Sequence, residues 1–284
     1  MLRSTLLVAC TLPLTQCEET APPPFDGATT ADVEVRDARD ARETEGEATD
    51  VVADGVPCRE LTGPVALSTK ADLTQLEHAR VVRGDLVLTP AEGLWDQEVR
   101  ELTGSLTVTG SADAPVGAQL AFVGLSSVGG DVALAHTTKG LVDLYRLETI
   151  GGSLTARSGG WAFWTPRLTT ISGAIDVRDA SHLALTLDDL AVFGGPLRIE
   201  RARGLTSVSL GRITRLRTSG EAVRLVDNPD LTSLRLGALA TLEGDLRITG
   251  NARLSRATID QALAGIIVTG ATTICGNLDD EACP

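Results

Sequence analysis

A short hydrophobic motif recurs along the chain: a glycine, one variable residue, and two aliphatic residues separated by a single position. The motif glycines follow one another at steps of 20, 26, 22, 21 and 22 residues, and then of 49 residues, which spans two steps. Alternation of apolar and polar positions predicts short strands with one buried face. Repetition at this period predicts a solenoid whose coils bury their apolar faces against one another. The copies are residues 84–88, 104–108, 130–134, 152–156, 173–177, 195–199 and 244–248, with a degraded copy at 221–225.

Each coil holds three short apolar stretches, which residues 223–244 display in full. An alternating strand at 223–226 precedes the turn Asp227-Asn228-Pro229-Asp230, and further apolar stretches follow at 231–236 and 239–242. Three short strands in about 22 residues predict an all-β, right-handed parallel β-helix, a leucine-rich solenoid of about eight to nine coils. We expect the motif glycine to lie at a corner, where the backbone needs a positive φ or a close approach.

The two ends of the repeat region have helical patterns. Residues 68–79 and 255–264 each predict a short amphipathic helix that caps one end of the core, the first with Ser68 as its N-cap. The composition agrees with a solenoid, because hydrophobic residues make up 43% of the chain but aromatic residues only 3%. Repeated slots of one size suit Leu, Val and Ile better than large rings.

The first 17 residues predict a secretory signal peptide. Arg3 supplies a positive charge, and the apolar run at 6–14 is too short to span a bilayer comfortably. Residues 14–17, Leu-Thr-Gln-Cys, resemble a bacterial lipobox in which Cys17 is lipidated. The alternative is an ordinary cleaved signal in which Cys17 is incidental. We therefore expect export to the cell envelope or cell surface, as an outer-membrane lipoprotein if Cys17 is lipidated, or secretion.

Residues 18–57 predict a disordered acidic linker. They hold 12 Asp or Glu residues against 3 Arg, and they bury too little apolar surface to offset chain entropy. We expect this segment to separate the anchor from a domain at 58–284; the alternative is a linker without a sequence-specific role. The domain carries 26 acidic against 21 basic residues, which argues against nucleic acid as a partner.

The cysteines and histidines predict one disulfide and no metal site. Cys275 and Cys283 enclose a short loop, which favours a disulfide in an oxidising compartment. Cys58 lies at the opposite end of the repeat region and is expected to be a free thiol. There is no CxxC pair, and the three histidines are scattered, so neither a metal ion nor another cofactor is expected. The histidines are His78, His136 and His182.

The repeat region resembles a known family. The pattern L..I.GDL.I..N..L, the cysteine at entry and the closing Ile274-Cys275-Gly276-Asn277 through Cys283 are similar to the receptor L-domain, the leucine-rich right-handed β-helix of insulin- and epidermal-growth-factor-receptor ectodomains. Similar domains occur in fungal cell-wall proteins and bacterial surface lipoproteins. The resemblance covers residues 58–284, although His78-Ala79 stand where a disulfide partner for Cys58 would be expected. It implies non-enzymatic binding of a ligand or partner at the cell surface.

One aromatic cluster is the candidate binding site. Trp161, Phe163 and Trp164 are three of the eight aromatic residues of the chain. Such rings stack on sugars or anchor a protein partner, and the alternative is that they fill a wider coil. Trp95, in the variable part of another coil, is predicted to pack inside the protein.

An enzymatic alternative is weighed because β-helices also host polysaccharide lyases and hydrolases, which use closely spaced carboxylates. The candidates have ordinary turn spacing, and GxSxG, SxxK, Walker and HExxH motifs are absent. We therefore expect no catalytic residue and a binding module for a surface glycan or protein, with an enzyme or a structural spacer as rivals. The carboxylates considered are Asp143, Asp176, Asp179, Asp227 and Asp230. Residues 227–230 lack the downstream Gly and Glu of a calcium loop.

Overall fold

The computed structural model describes residues 59–110, 118–185 and 187–283. These residues form parallel sheets stacked as a β-solenoid of about 9 turns, with two short helices. The predicted all-β parallel β-helix is thereby confirmed. Residues Arg59–Pro284 belong to one compact unit. The predicted signal peptide, Cys17, the acidic linker and Cys58 lie outside the described residues.

Most strands are short, but five of them, β10, β12, β14, β18 and β20, have nine or more residues. The strands are β1 (Arg59–Thr62), β2 (Val65–Leu67), β3 (Ala79–Arg83), β4 (Leu86–Leu88), β5 (Leu94–Asp96), β6 (Glu101–Leu102), β7 (Leu106–Thr109), β8 (Ala118–Phe122), β9 (Ser127–Val128), β10 (Val132–Asp143), β11 (Thr149–Ile150), β12 (Leu154–Trp164), β13 (Thr170–Ile171), β14 (Ile175–Leu185), β15 (Val192–Phe193), β16 (Leu197–Glu200), β17 (Ser207–Ser209), β18 (Arg215–Val226), β19 (Ser233–Arg235), β20 (Thr241–Thr249), β21 (Ile267–Val268) and β22 (Thr272–Cys275). The longest are β10 and β18, with twelve residues each.

The strands stack into two main parallel sheets. The larger has the order β2-β4-β7-β10-β12-β14-β16-β18-β20-β21, with β22 also paired to β20 and β5 joined to β10 through β8. The second has the order β1-β3-β6-β9-β11-β13-β15, and β17 pairs with β19. Corresponding strands of successive coils are therefore neighbours, and the hydrogen bonds of each sheet run along the solenoid axis.

The motif aliphatics form one aligned column inside the larger sheet. Each residue is in register with its equivalent one coil away, and all are at most 8% exposed. Stacking of like aliphatics in this column supplies a continuous dry core. The column is Val65, Leu86, Leu106, Val132, Leu154, Ile175, Leu197, Val223 and Leu246.

The motif glycines lie where neighbouring coils approach closely. The backbone N–H of Gly130 donates to the carbonyl of Gly104 at 2.9 Å, and that of Gly152 donates to Gly130 at 2.9 Å. A Cβ on Gly152 would lie 2.8 Å from the carbonyl carbon of Gly130. Close approach is thus the constraint in the middle coils, whereas Gly84 and Gly244 also have positive φ values of 146° and 131°.

The variable residue after the glycine also has a structural role, which the motif did not predict. Asp85 Oδ1 accepts from the backbone N–H of Ser105 at 2.8 Å, and Ser105 Oγ accepts from that of Asp131 at 3.1 Å. Asp131 Oδ1 accepts from Ser153 N–H at 2.6 Å, and Ser153 Oγ from Ala174 N–H at 3.0 Å. Short polar side chains therefore tie each coil to the next at this corner.

Three buried asparagines form a second ladder near the end of the solenoid. Asn251 donates through Nδ2 to the carbonyl of Leu225 and to Oδ1 of Asn277, both at 3.0 Å. Asn251 Oδ1 accepts from the backbone N–H and from Nδ2 of Asn228, again at 3.0 Å. The predicted turn at residues 227–230 is present, and its Asn228, like Asn251, is 0% exposed. The amides satisfy backbone groups that the core shields from water.

Both predicted helices are present. The first is a 3-10 helix, Lys70–Leu76, and the second is an α-helix, α1, Arg256–Leu263. Each inserts one side chain into the core, Leu76 at the first coil and Ile259 at the last coils. Ser255 caps α1 by accepting from Thr258 N–H. The predicted Ser68 cap of the first helix is wrong: its N-cap is Thr69, because the Asp72 carboxylate accepts from Thr69 N–H at 2.8 Å.

Candidate functional site

The candidate site lies where the long strands continue beyond the motif. After their bends, β10 and β12 pair again, with Val142 beside Phe163 and Asp143 beside Trp164. On the other side of β10, Ala121 of β8 lies beside Asp143. Alternation along these strands sends Val142 and Phe163 into the core and the next residue outward.

The structure separates the three aromatic residues of the predicted cluster. Trp164 is 47% exposed, whereas Phe163 is 2% exposed and belongs to the core. Phe163 therefore fills the coil, as in the alternative interpretation, and is not part of a binding surface. Trp161 lies in β12, but its side chain is outside what the structure describes.

Two residues that the sequence analysis missed accompany Trp164. The ring of Tyr145, which is 41% exposed, has its centroid 5.5 Å from that of Trp164, with a tilt of 54° between the planes. The guanidinium carbon of Arg167 lies 5.5 Å from the Tyr145 centroid, over the ring. We call Tyr145, Trp164 and Arg167 the aromatic face. The 22-residue separation of Tyr145 and Arg167, one coil, is the signal that could have found this pair.

Trp95 is not packed inside the protein, and that prediction is wrong. Its side chain is 62% exposed in β5, the highest fraction among the exposed tryptophans of the described residues. It pairs in register with Ala121 of β8. A strand of three residues with the pattern buried, exposed, buried has one outward position, and Trp95 occupies it.

A carboxyl group lies between the exposed tryptophans. Asp143 is half-buried, and its Oδ1 atom is shielded and without a hydrogen-bond partner among the described residues. Burial raises the pKa of Asp143, and a hydrogen bond from the backbone N–H of Tyr145 opposes this only in part. The carboxyl is therefore a partly shielded polar group at the strand position next to Trp164.

The carboxylates of the enzymatic alternative are engaged elsewhere. Asp176 accepts from Arg178 at 2.7 Å and from Arg157 at 3.2 Å. Asp230 accepts from the backbone N–H of Gly204 at 2.9 Å. Both are tied into contacts between coils or along a strand, which is a structural role.

One groove of about 540 Å³ holds two of these carboxylates, Asp179 and Asp227, with Arg201 between them. Arg201 bonds to both oxygens of Asp179, at 2.6 and 2.9 Å, and this hydrogen bonding lowers the pKa of Asp179. A hydrolase pair needs a protonated acid beside an ionised base. The carboxyls whose pKa burial raises, Asp96 and Asp143, lie in β5 and β10 instead.

The buried glutamate Glu200 gives a test of these ion pairs. Burial opposes its ionisation, but the hydrogen bond from Arg224 at 2.6 Å and the charges of Arg178 and Arg201 prevail and lower its pKa. Ionised Glu200 therefore stabilises the fold above its unfolded pKa of about 4.5, and this contribution is lost as the pH falls. We expect Glu200→Gln to lower the free energy of unfolding by about 1.5–3 kcal/mol at about pH 7 and by much less at about pH 3. Urea unfolding at both pH values measures the difference.

The control is Glu148→Gln, at an exposed glutamate. An equal loss of unfolding free energy at both pH values in Glu200→Gln would contradict the prediction.

Cys275 and Cys283 are joined by a disulfide with a Cα–Cα distance of 5.0 Å. It closes the loop that follows β22, beside Asn277 of the asparagine ladder. Within the described ranges, no cluster of three or more His, Cys, Asp or Glu residues is placed to hold a metal ion. Neither described helix is long and apolar enough to cross a membrane.

No family model, curated protein or solved structure matches the chain. The chemistry of the exposed residues therefore carries the functional argument.

Proposed function

We propose that this protein is a non-enzymatic binding module of the cell surface or envelope, which binds a glycan through the aromatic face. The observation that carries the proposal is the exposed, tilted pair of Tyr145 and Trp164 with Arg167 stacked on it. Exposed rings offer apolar faces to the C–H surfaces of sugars, and phenol, indole and guanidinium groups can hydrogen-bond hydroxyls. Side chains of this kind also dominate binding energies at interfaces.

Other parts of the proposal rest on the sequence. The resemblance to the receptor L-domain supports ligand or partner binding without catalysis. The signal-like residues 1–17 support export, and the lipobox resemblance supports a lipid anchor at Cys17 with the acidic segment 18–57 as a tether.

A glycan array probed with the full chain tests the proposal. We expect binding to a subset of glycans, and Trp164→Ala to weaken it by about 10- to 100-fold, since truncation of a central aromatic anchor costs about 2 kcal/mol or more. Tyr145→Ala is expected to act in the same direction.

The matched control is Ile267→Ala, which removes another exposed hydrophobic side chain, 65% exposed in β21. Binding that survives Trp164→Ala, or no binding to any glycan, would contradict the proposal and favour a protein partner or a spacer. Release of new reducing ends from a bound glycan would contradict the non-enzymatic assignment.

A further inference from the structure

The exposed tryptophans are ordered along the solenoid axis. Trp95 is in register with Ala121, Ala121 with Asp143, and Asp143 with Trp164. We call these four residues the aromatic row. Because the strands are neighbours in one parallel sheet, Trp95 and Trp164 lie three strand spacings apart, about 14 Å between their backbones. The row crosses the strands and runs parallel to the axis.

The most exposed side chains of the row are at its two ends. Trp95 and Trp164 are 62% and 47% exposed, whereas Ala121 between them is 1% exposed. The Oδ1 atom of Asp143 is shielded as well. A ligand on this row therefore meets indole at both ends, with Tyr145 beside Trp164, and has little contact with the strands beneath.

The shape and charge of the row fit a narrow, neutral polymer. A stable protein partner would need about 800 Å² of surface around a central anchor, whereas the exposed rings of the row lie at two separate points. The flanks carry both signs of charge: Lys70, Glu77 and Glu98 line a groove of about 340 Å³ beside Trp95, and Arg167 lies beside Tyr145. Mixed polar flanks can hydrogen-bond hydroxyl groups, but they offer no field of a single sign to an ionic polymer.

We infer that the ligand is a neutral, unbranched glycan that lies along the solenoid axis and is held at two points, by Trp95 at one end and by Tyr145 and Trp164 at the other. This inference rests on the proposed function and adds the orientation and length of its ligand. A short oligosaccharide reaches one aromatic point, whereas a chain that spans the row reaches both. The second contact is then intramolecular, which raises the affinity without any new kind of contact.

Titration calorimetry with the full chain tests the inference. The probes are β-1,4-linked oligomers of glucose and of N-acetylglucosamine, each from the disaccharide to the octasaccharide. For one of these series we expect the longest oligomers to bind about 10- to 100-fold more tightly than the disaccharide, with a step where the chain first spans the row. Trp95→Ala should remove this gain and leave the disaccharide affinity unchanged. Trp164→Ala should weaken binding at every length.

The variants keep the two proposals apart. Val192→Ala, which truncates another exposed side chain, should leave the whole length series unchanged, and Trp95→Tyr should restore part of the gain. Affinity that is independent of length, or a length gain that survives Trp95→Ala, overturns the two-point inference while Trp164-dependent binding still supports the proposed function. If neither series binds, the inference of a neutral, unbranched ligand is wrong. The proposed function then depends on the glycan array alone.

Discussion

Replacement of Asn251 by alanine is expected to lower the free energy of unfolding by about 3–5 kcal/mol. The Asn251 amide donates to the carbonyls of Leu225 and Thr249 and to Asn277, and it accepts two bonds from Asn228. Alanine removes these bonds at a site with 0% exposure, where no water replaces them. Buried donors and acceptors in neighbouring coils lose their partners together, and each costs about 1–3 kcal/mol. Chemical denaturation followed by circular dichroism measures the loss.

The control for Asn251→Ala removes an exposed hydrogen bond that also joins one coil to the next. Thr232 Oγ1 donates to the carbonyl of Thr206 at 3.1 Å, and both groups face solvent. Thr232→Ala is expected to cost about 0.5 kcal/mol or less, since water replaces the hydroxyl. Equal effects of Asn251→Ala and Thr232→Ala would show that the ladder is not a dry, coupled network.

Substitution of Gly211 by alanine is expected to cost about 3 kcal/mol or more, or to prevent cooperative folding. A Cβ placed on Gly211 would lie 1.3 Å from the carbonyl oxygen of Asp188 and 2.2 Å from its carbonyl carbon. These are backbone atoms of the adjacent coil, so no side-chain rotation relieves the overlap. The coils would have to separate, which weakens the stacking on both sides. Thermal and urea unfolding measure the effect.

Gly220 provides the matched glycine-to-alanine control. A Cβ at Gly220 meets nothing within 4 Å, and its φ is not among the left-handed values. Gly220→Ala is therefore expected to change stability by less than about 1 kcal/mol, and it can stabilise by restricting the unfolded chain. A large loss at Gly220, or a small one at Gly211, would contradict the close packing of successive coils.

The aliphatic columns could be predicted because every coil needs an aliphatic side chain at the same inward position. Leu106, Leu154, Leu197 and Leu246 face one interior, so hydrophobic spacing alone reveals them. The motif glycines could be predicted for a similar reason: a side chain there would meet backbone in each middle coil.

The polar ladders are harder to recognise in the sequence than the aliphatic columns. Asp85, Ser105, Asp131 and Ser153 perform one task with two residue types, because either oxygen accepts the same N–H. The buried asparagines look like turn residues, since a lone Asn favours turns as well. Their spacing by one coil was the available signal, at positions Asn228, Asn251 and Asn277.

The candidate site was predicted only in part, because exposure depends on which strand face a coil presents. Trp164 and Phe163 are adjacent in sequence, and alternation sends one outward and the other into the core. Trp95 was predicted to pack inside the protein, but the three-residue strand β5 leaves it the outward position. The contact of Tyr145 with Arg167 depends on the stacking of coils and not on neighbours in the chain.

Because successive coils share one register, the solenoid can be lengthened or shortened by whole coils. Leu154 and Leu197 each pair with Ile175, and Gly152 and Gly195 each abut Gly173. Excision of residues 173–194 would bring Gly195 onto Gly152 and Leu197 onto Leu154 without turning any inward side chain outward. Tandem duplication of the same residues would add one coil and keep the register. Descendants of this chain can thus grow or shrink beyond Trp164 while the span between Trp95 and Trp164 stays fixed.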